Sequence, residues 1–352
     1  MSGACLARHC LPLLLALLPL LAMGAETRAT ARAADGMQHL RIALQWRPQS
    51  QFAGYYLARD KGIYRASGLD VRLIHADTER ASLAMLAEGS VELATAFLAD
   101  GIIAALTTPT GEMASGSDVP PAPALVQIAQ FMQVSNLLLI AWKDMGVEQA
   151  ADLDGLRISH WRGSFSIAFD ALFKTNGITP IRVPQYDSIH LFLKRGVAAC
   201  AAMRYNEDHR IWQAGVENDR LTRFVMRDHG YDFPEDGLYV RADWLREHRE
   251  TARAVREATL AGWAYAREHP EEALDLVLAE AAAAGVPANR PHERWMLDHI
   301  LAGIFLPGEP TARAGTLDPA AFERTASALV AAGFLSRAPA FDAFAPLDAR
   351  AN

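Results

Sequence analysis

Residues 40–74 read LRIALQWRPQSQFAGYYLARDKGIYRASGLDVRLI, and the order of elements in this stretch decides the fold. Residues 39–45 (HLRIALQ) form an apolar run suited to a strand, and Pro48 prevents that strand from running on. From Phe52 to Lys61 the spacing is helical, Gly62 supplies a left-handed stop, and Leu69 to Ile74 makes the next strand. Strand, helix and strand in this order describe a βαβ unit, which favours a mainly parallel sheet.

The same alternation continues outward. A helix near 79–88, a strand at 91–96 and a helix at 100–106 follow, then strands at 125–131 and 136–142. A compact series comes next: strand 156–160, helix 164–175, strand 181–184, helix 187–195 and strand 197–202. Beyond about residue 242 the pattern turns helical, over 249–267, 271–284, 293–304 and 319–332. Between the helix at 100–106 and the strand at 125–131, residues 107–124 (TTPTGEMASGSDVPPAPA) carry turn-forming residues without apolar period and read as a long exposed loop.

The 352 residues are 51% hydrophobic, enough for a large core in one α/β domain or two lobes. With 34 basic against 41 acidic residues and a net charge of -7, there is no basic stripe to track a phosphate backbone, so nucleic acid is not an expected partner. The start reads differently: Arg8 precedes LPLLLALLPLLA at 11–22, and Ala22 and Gly24 stand at the small-residue positions of a secretory cleavage site. Residues 1–24 are therefore expected to be a signal peptide, with a second possible cut after Ala33, which places the mature protein in the periplasm. Cys5 and Cys10 would leave with it, so Cys200 alone remains and no internal disulfide can form.

No HExxH, CxxC, GxGxxG, GxxxxGK[ST] or GxSxG string occurs, so neither a catalytic centre nor a cofactor is expected. His292 and His299 share a helix face but lie roughly 10 Å apart at 1.5 Å per residue, too far to grip one ion. They read as surface histidines, and no metal is expected.

The remaining candidates sit just after strands, where open α/β sheets bind ligands. Trp46 ends the first strand, and Tyr55 on the following helix shares its neighbourhood; these two are expected to wall a pocket, with Phe52, Tyr56 and Tyr64 in the core. HWRGSFS at 160–166 joins a strand to a helix, and Trp161, Arg162 and Ser164 there suit either a polar ligand or an ordinary capped turn. In MRYNED at 203–208, Tyr205 could stack on a ligand and Glu207 could accept from its amino group, or Glu207 could simply favour a helix N-terminus. Asp100 is either a ligand contact or the cap of the helix containing IIAAL.

The opening stretch, together with VELATAF, GLRISHWRGSFSIAFDALFKTNGI, YNE at 205–207 and YVRADWLREHRETARAVREATLAGWAYAREHPEEAL, resembles the type II periplasmic binding proteins of the thiamine-pyrimidine group, relatives of the sulfonate, taurine and nitrate binders. The resemblance runs from Leu40 to about Ala284. It implies a two-lobed clamshell, each lobe a mainly parallel sheet flanked by helices, with extra C-terminal helices. Lobe one would comprise 37–132 and 235–352, lobe two 140–230, with crossings near 133–140 and 227–236. A small aromatic heterocycle, such as a thiamine pyrimidine precursor, would sit between the lobes. It would contact Trp46, Tyr55 and Asp100 from one side and Trp161, Arg162, Ser164, Tyr205 and Glu207 from the other. The protein would act as a monomer that delivers its ligand to the permease and ATPase of an ABC importer.

Two alternatives stand beside this reading. One is a ligand-sensing module working through a membrane receptor partner. The other is an enzyme of the thiamine-pyrimidine synthase type, which resembles this chain but uses its own lysine and histidine as reactants. The corresponding positions here are Ala96 and Asp100, and the segment matching that enzyme's cysteine-rich stretch, HGYDFPEDG, has no cysteine. The family's phosphate loop appears as RGSFS without a lysine, which argues against a phosphorylated ligand.

Overall fold

A computed structural model describes residues 36–76, 80–107 and 124–349. The expected signal peptide and nearly all of the 107–124 loop lie outside these residues, as does the side chain of Ser164. No described helix is long and apolar enough to cross a membrane.

The chain opens with β1 (Gln38–Leu44), α1 (Ala53–Asp60), α2 (Ile63–Ala66) and β2 (Leu69–His75), close to the bounds the sequence sets. Gly62 takes a left-handed φ of 70° between α1 and α2, so its lack of a side chain is what permits the sharp break. Then come α3 (Ser82–Ala87), β3 (Leu93–Ala96), α4 (Leu98–Leu106) and β4 (Leu125–Gln130). The next section holds β5 (Leu137–Trp142), β6 (Arg157–His160), α5 (Ser166–Thr175), β7 (Ile181–Pro184), α6 (His190–Leu193), β8 (Ala199–Met203), α7 (Glu207–Gln213) and β9 (Leu221–Val225). The chain returns through β10 (Gly237–Arg241) and ends in helices: α8 (Ala242–Glu247), α9 (Arg249–Glu268), α10 (Pro270–Ala283), α11 (Arg290–Ile304), α12 (Pro319–Ala331) and α13 (Phe341–Phe344).

Two five-stranded sheets result, ordered β2-β1-β3-β10-β4 and β7-β6-β8-β5-β9. The parallel arrangement expected from the alternation holds for β2-β1-β3 and for β7-β6-β8, the βαβ parts. Strands β10 and β5 each enter the fourth place antiparallel to both neighbours, which makes both sheets mixed. Each has just crossed from the other sheet, so it arrives from the opposite end.

The two crossing segments are fastened to each other. Ser135 N–H donates to Asp232 Oδ1 at 2.7 Å, Asn136 donates from its backbone and side chain to the Glu235 carboxylate, and Glu235 N–H donates to Met132 O at 3.2 Å. Elsewhere the fold depends on close backbone approach. A Cβ on Gly262 of α9 would stand 2.1 Å from Gly54 O, and one on Gly54 of α1 would stand 2.3 Å from the Trp263 ring. Two facing glycines thus let α1 and α9 pack at short range and bury Trp263 almost fully.

Candidate functional site

The segments after β1 and β3 of one sheet meet those after β7 and β6 of the other. Arg47 Nη2, after β1, pairs with Asp187 Oδ2, after β7, at 3.1 Å. Phe97, after β3, meets Phe165, after β6, edge-on with ring centroids 4.9 Å apart. This seam is the ligand position that α/β topology favours, at the carboxyl ends of strands of both sheets.

Trp46 is half-buried on one side of the seam. Its carbonyl accepts from His75 Nδ1 at 2.6 Å, which fixes the backbone where β1 stops, and the Arg47 guanidinium lies 5.5 Å from the centre of its ring. Trp161 is half-buried on the other side, with Nε1 donating to Tyr186 O at 2.9 Å and the ring tilted against Phe165 at 5.6 Å. The Arg47–Asp187 bridge thus links the residue after Trp46 to the residue after the one that holds Trp161. Arg162 is exposed and lines a cavity of about 240 Å³ with His160, Gly163, Ser166, Arg182, Val183 and Pro184. Asp100 lies in the first turn of α4, whose capping position is Phe97, so the capping role the sequence allowed for it is not the one observed.

Tyr55 is buried at 1% exposure, and Phe52, Tyr56 and Tyr64 are likewise buried, at 1% or less. Its ring packs edge-on against Phe131 and Trp263, so the ring itself belongs to the core. Its hydroxyl is buried without a hydrogen-bond partner among the described residues and lies in the field of Asp236. Tyr205 is likewise buried, and the carboxylates of Glu235, Asp236 and Glu207 all act on it. Glu207 Oε2 accepts from Met203 N–H at 2.9 Å and Oε1 from Asn206 Nδ2 at 2.8 Å, so it does brace the start of α7. Burial nonetheless pushes its pKa up, with the Met203 and Glu207 backbone N–H groups opposing. Tyr55 and Tyr205 thus both lie in the field of one carboxylate, Glu207 bears on Tyr205 alone of the two, and Trp46 and Trp161 flank the seam.

That carboxylate is Asp236, which the sequence reading missed. It is 5% exposed and directly precedes β10. Gln45 Nε2 donates to its Oδ1 at 2.6 Å, and Gln51 Nε2 donates to Oδ1 at 3.0 Å and Oδ2 at 2.8 Å. Among the described residues no cation pairs with it, and burial pushes its pKa up to about 7 against the pull of the two glutamines. Gln45 Oε1, beside it, is also buried without a partner among the described residues. Buried polar groups are normally satisfied, so a carboxylate held by two amides, beside an amide oxygen and within the field of a hydroxyl that both lack partners among the described residues, is a candidate ligand position. No described group of three or more His, Cys, Asp or Glu side chains could hold a metal ion.

The surface-histidine expectation needs correction at His292. It is 8% exposed and faces His209 of α7 with the two Nδ1 atoms 2.9 Å apart. Helical spacing could not reveal a partner 83 residues away in sequence.

Residues 49–273, well over half the chain, match the family described as NMT1/THI5 like. A formylaminopyrimidine-binding protein of Halalkalibacterium halodurans is 22% identical over 307 residues, covering 84% of this chain and 86% of that one. The periplasmic aliphatic sulphonate binding protein SsuA of Escherichia coli superposes with a TM-score of 0.60 at 15% identity, over 84% of this chain and 92% of that one. The periplasmic nitrate-binding protein NrtA of Synechocystis gives a TM-score of 0.58 at 15% identity, over 89% and 85% of the two chains. These likenesses establish the two-lobed binding-protein fold. The chain belongs to the NMT1/THI5-like family.

Proposed function

We propose that this protein is the periplasmic solute-binding component of an ABC importer and takes a small aromatic heterocycle bearing an exocyclic amine, of the aminopyrimidine type, between its two sheets. The observation that carries the reading is the buried Asp236 carboxylate, held by Gln45 and Gln51, with Gln45 Oε1 beside it and the Tyr55 hydroxyl in its field, both without a partner among the described residues. An amino group donating to Asp236 and accepted by Gln45 Oε1 would satisfy both, while Trp46 and Trp161 offer ring faces. The similarity to a formylaminopyrimidine-binding protein supports the same class. Periplasmic location rests on the signal-type start and on the periplasmic relatives of the fold.

The synthase alternative fares poorly on chemistry, since Ala96 offers no amine and Asp100 no imidazole at the positions that enzyme uses. Binding without bond making is the reading the residues support. The test is a panel of heterocycles added to the purified mature protein while tryptophan fluorescence and melting temperature are followed. An aminopyrimidine should quench the fluorescence and raise the melting temperature. Silence across the whole panel would refute the substrate class.

A further inference from the structure

The two halves of the molecule are joined on one flank by a cluster that the ligand site does not use. His209 lies between the ring faces of Trp212 and Trp295, stacked at centroid distances of 5.4 and 4.8 Å. Its partner His292 on α11 is nearly coplanar with it, at 6° and a centroid distance of 5.2 Å. With the Nδ1 atoms 2.9 Å apart, this is an edge-to-edge hydrogen bond rather than a stack. Around it, Gln213 Nε2 donates to Asn289 Oδ1 at 3.1 Å and Trp295 Nε1 to Arg204 O at 2.9 Å. All these bonds join α7 or its leading turn to α11, which packs on the other sheet's helices.

The hydrogen-bond chain fixes the protons. Asn206 Nδ2 donates to Glu207, which turns Asn206 Oδ1 toward His292 Nε2 at 3.1 Å. His292 must therefore carry its proton on Nε2 and accept at Nδ1, so His209 donates from Nδ1. A second proton on His209 would sit at Nε2, between two indole faces that favour a cation, and would leave the bond intact. A second proton on His292 would land on Nδ1, donor against donor.

We propose that the His209–His292 pair is an acid-released clasp: it holds the two lobes together while His292 is neutral and lets them part when His292 takes up a proton. The charges facing it do not oppose this. On α7, Arg210 bears on His292, and Asp208, beside His209, is paired with Arg223 of β9. On α11, His299 bears on His209, the Glu293 carboxylate accepts from Ser50, and Arg290 and Arg294 pair with Glu271 of α10. Glu207 is engaged by Asn206 and Met203. No acidic group among them is placed to neutralise a charged His292.

The sign follows from linkage. Burial, then His209 and Arg210, push the His292 pKa down from 6.5 to about 4 while the clasp is closed. A group whose pKa is lowered in one state disfavours that state once it charges, so closure is strongest above pH 6.5 and is lost as pH falls toward 4. At pH 5 the closing equilibrium should drop by about 30-fold relative to pH 8, the factor such a shift implies.

The experiment uses the full mature chain without ligand, spin-labelled through cysteines placed at the exposed Glu88 and Glu217, one on each sheet's half. Cys200 is fully buried and takes no label. Wild type should show a short distance at pH 8 and a growing longer population at pH 5. His292→Asn places an amide oxygen near the Nδ1 position, keeps the acceptor and cannot charge, so its distance should not respond to pH. His209→Leu is the second variant, and it too should lose most of the response, because leucine offers His292 no donor. No change with pH in wild type, a long distance at both pH values, or a response retained in both variants would overturn the clasp.

Discussion

Asp236→Asn tests the polar centre through the protein's own stability. The wild-type carboxyl titrates at about 7 in the folded protein and at an ordinary 3.8 when unfolded. A raised folded pKa means that the protonated form is favoured by folding, so its stabilising share is complete below 3.8 and is lost as pH rises toward 7. Between pH 5 and pH 8 the loss from this one group amounts to about 2–3 kcal/mol, at 1.36 kcal/mol per pKa unit. The asparagine variant has nothing to titrate there. Glu207 and Glu293 are also pushed up by burial, but they are present in both proteins and cancel in the difference, whereas Glu235 is raised partly by Asp236 itself, so the variant also relieves that repulsion and gains in the same direction. The assay is urea unfolding of wild type and variant at pH 5 and pH 8 without ligand. The variant should gain about 2–3 kcal/mol on wild type over that range. Parallel stability profiles would show that Asp236 is not a buried, unpaired carboxylate, and the proposed ligand contact would fall with it.

Further outcomes follow from other parts of the structure. Gly262→Ala forces a methyl against Gly54 O and Ala58, and should cost about 1–3 kcal/mol in denaturant unfolding, with secondary structure retained. Trp46→Ala removes a ring face at the seam and should weaken aminopyrimidine binding by about tenfold or more in a fluorescence titration, with little change in melting temperature because the side chain is only half-buried. Replacing Ser50 by Ala removes one of the two Ser50 hydrogen bonds to the buried Glu293 carboxylate and keeps the backbone N–H, and should destabilise the protein by about 1–2 kcal/mol at pH 8 and less at pH 5, read by thermal unfolding.

Much of the fold was legible because βαβ units carry local signals. The run from Leu40 to Ile74 shows its strand, helix, glycine break and second strand within a few residues of the observed bounds. The stretch from 204 to 241 was not legible in the same way. Strands β9 and β10 are five residues each, and β10 is defined by antiparallel partners more than a hundred residues earlier in β3 and β4, which no local period reports. The site divides along the same line. Trp46 and Trp161 were visible because each directly follows an apolar strand, whereas Asp236 lies in a segment rich in turn residues and reads as solvated loop. Its burial depends on Gln45 and Gln51, 191 and 185 residues away. Tyr55 shows the limit of helical spacing: the pattern places it near Trp46, but only the packing of Phe131 and Trp263 reveals that its ring lies in the core.

The central claim, that an amine-bearing ring is held between the two sheets against Asp236, is tested most directly by a crystal structure of the mature protein grown with a formylaminopyrimidine. The account predicts a planar ring in the seam beside Trp46 and Trp161, with its exocyclic nitrogen within hydrogen-bond distance of Asp236. A ligand seated elsewhere, or a seam occupied instead by an alkanesulfonate or nitrate that displaces the pyrimidine, would contradict it.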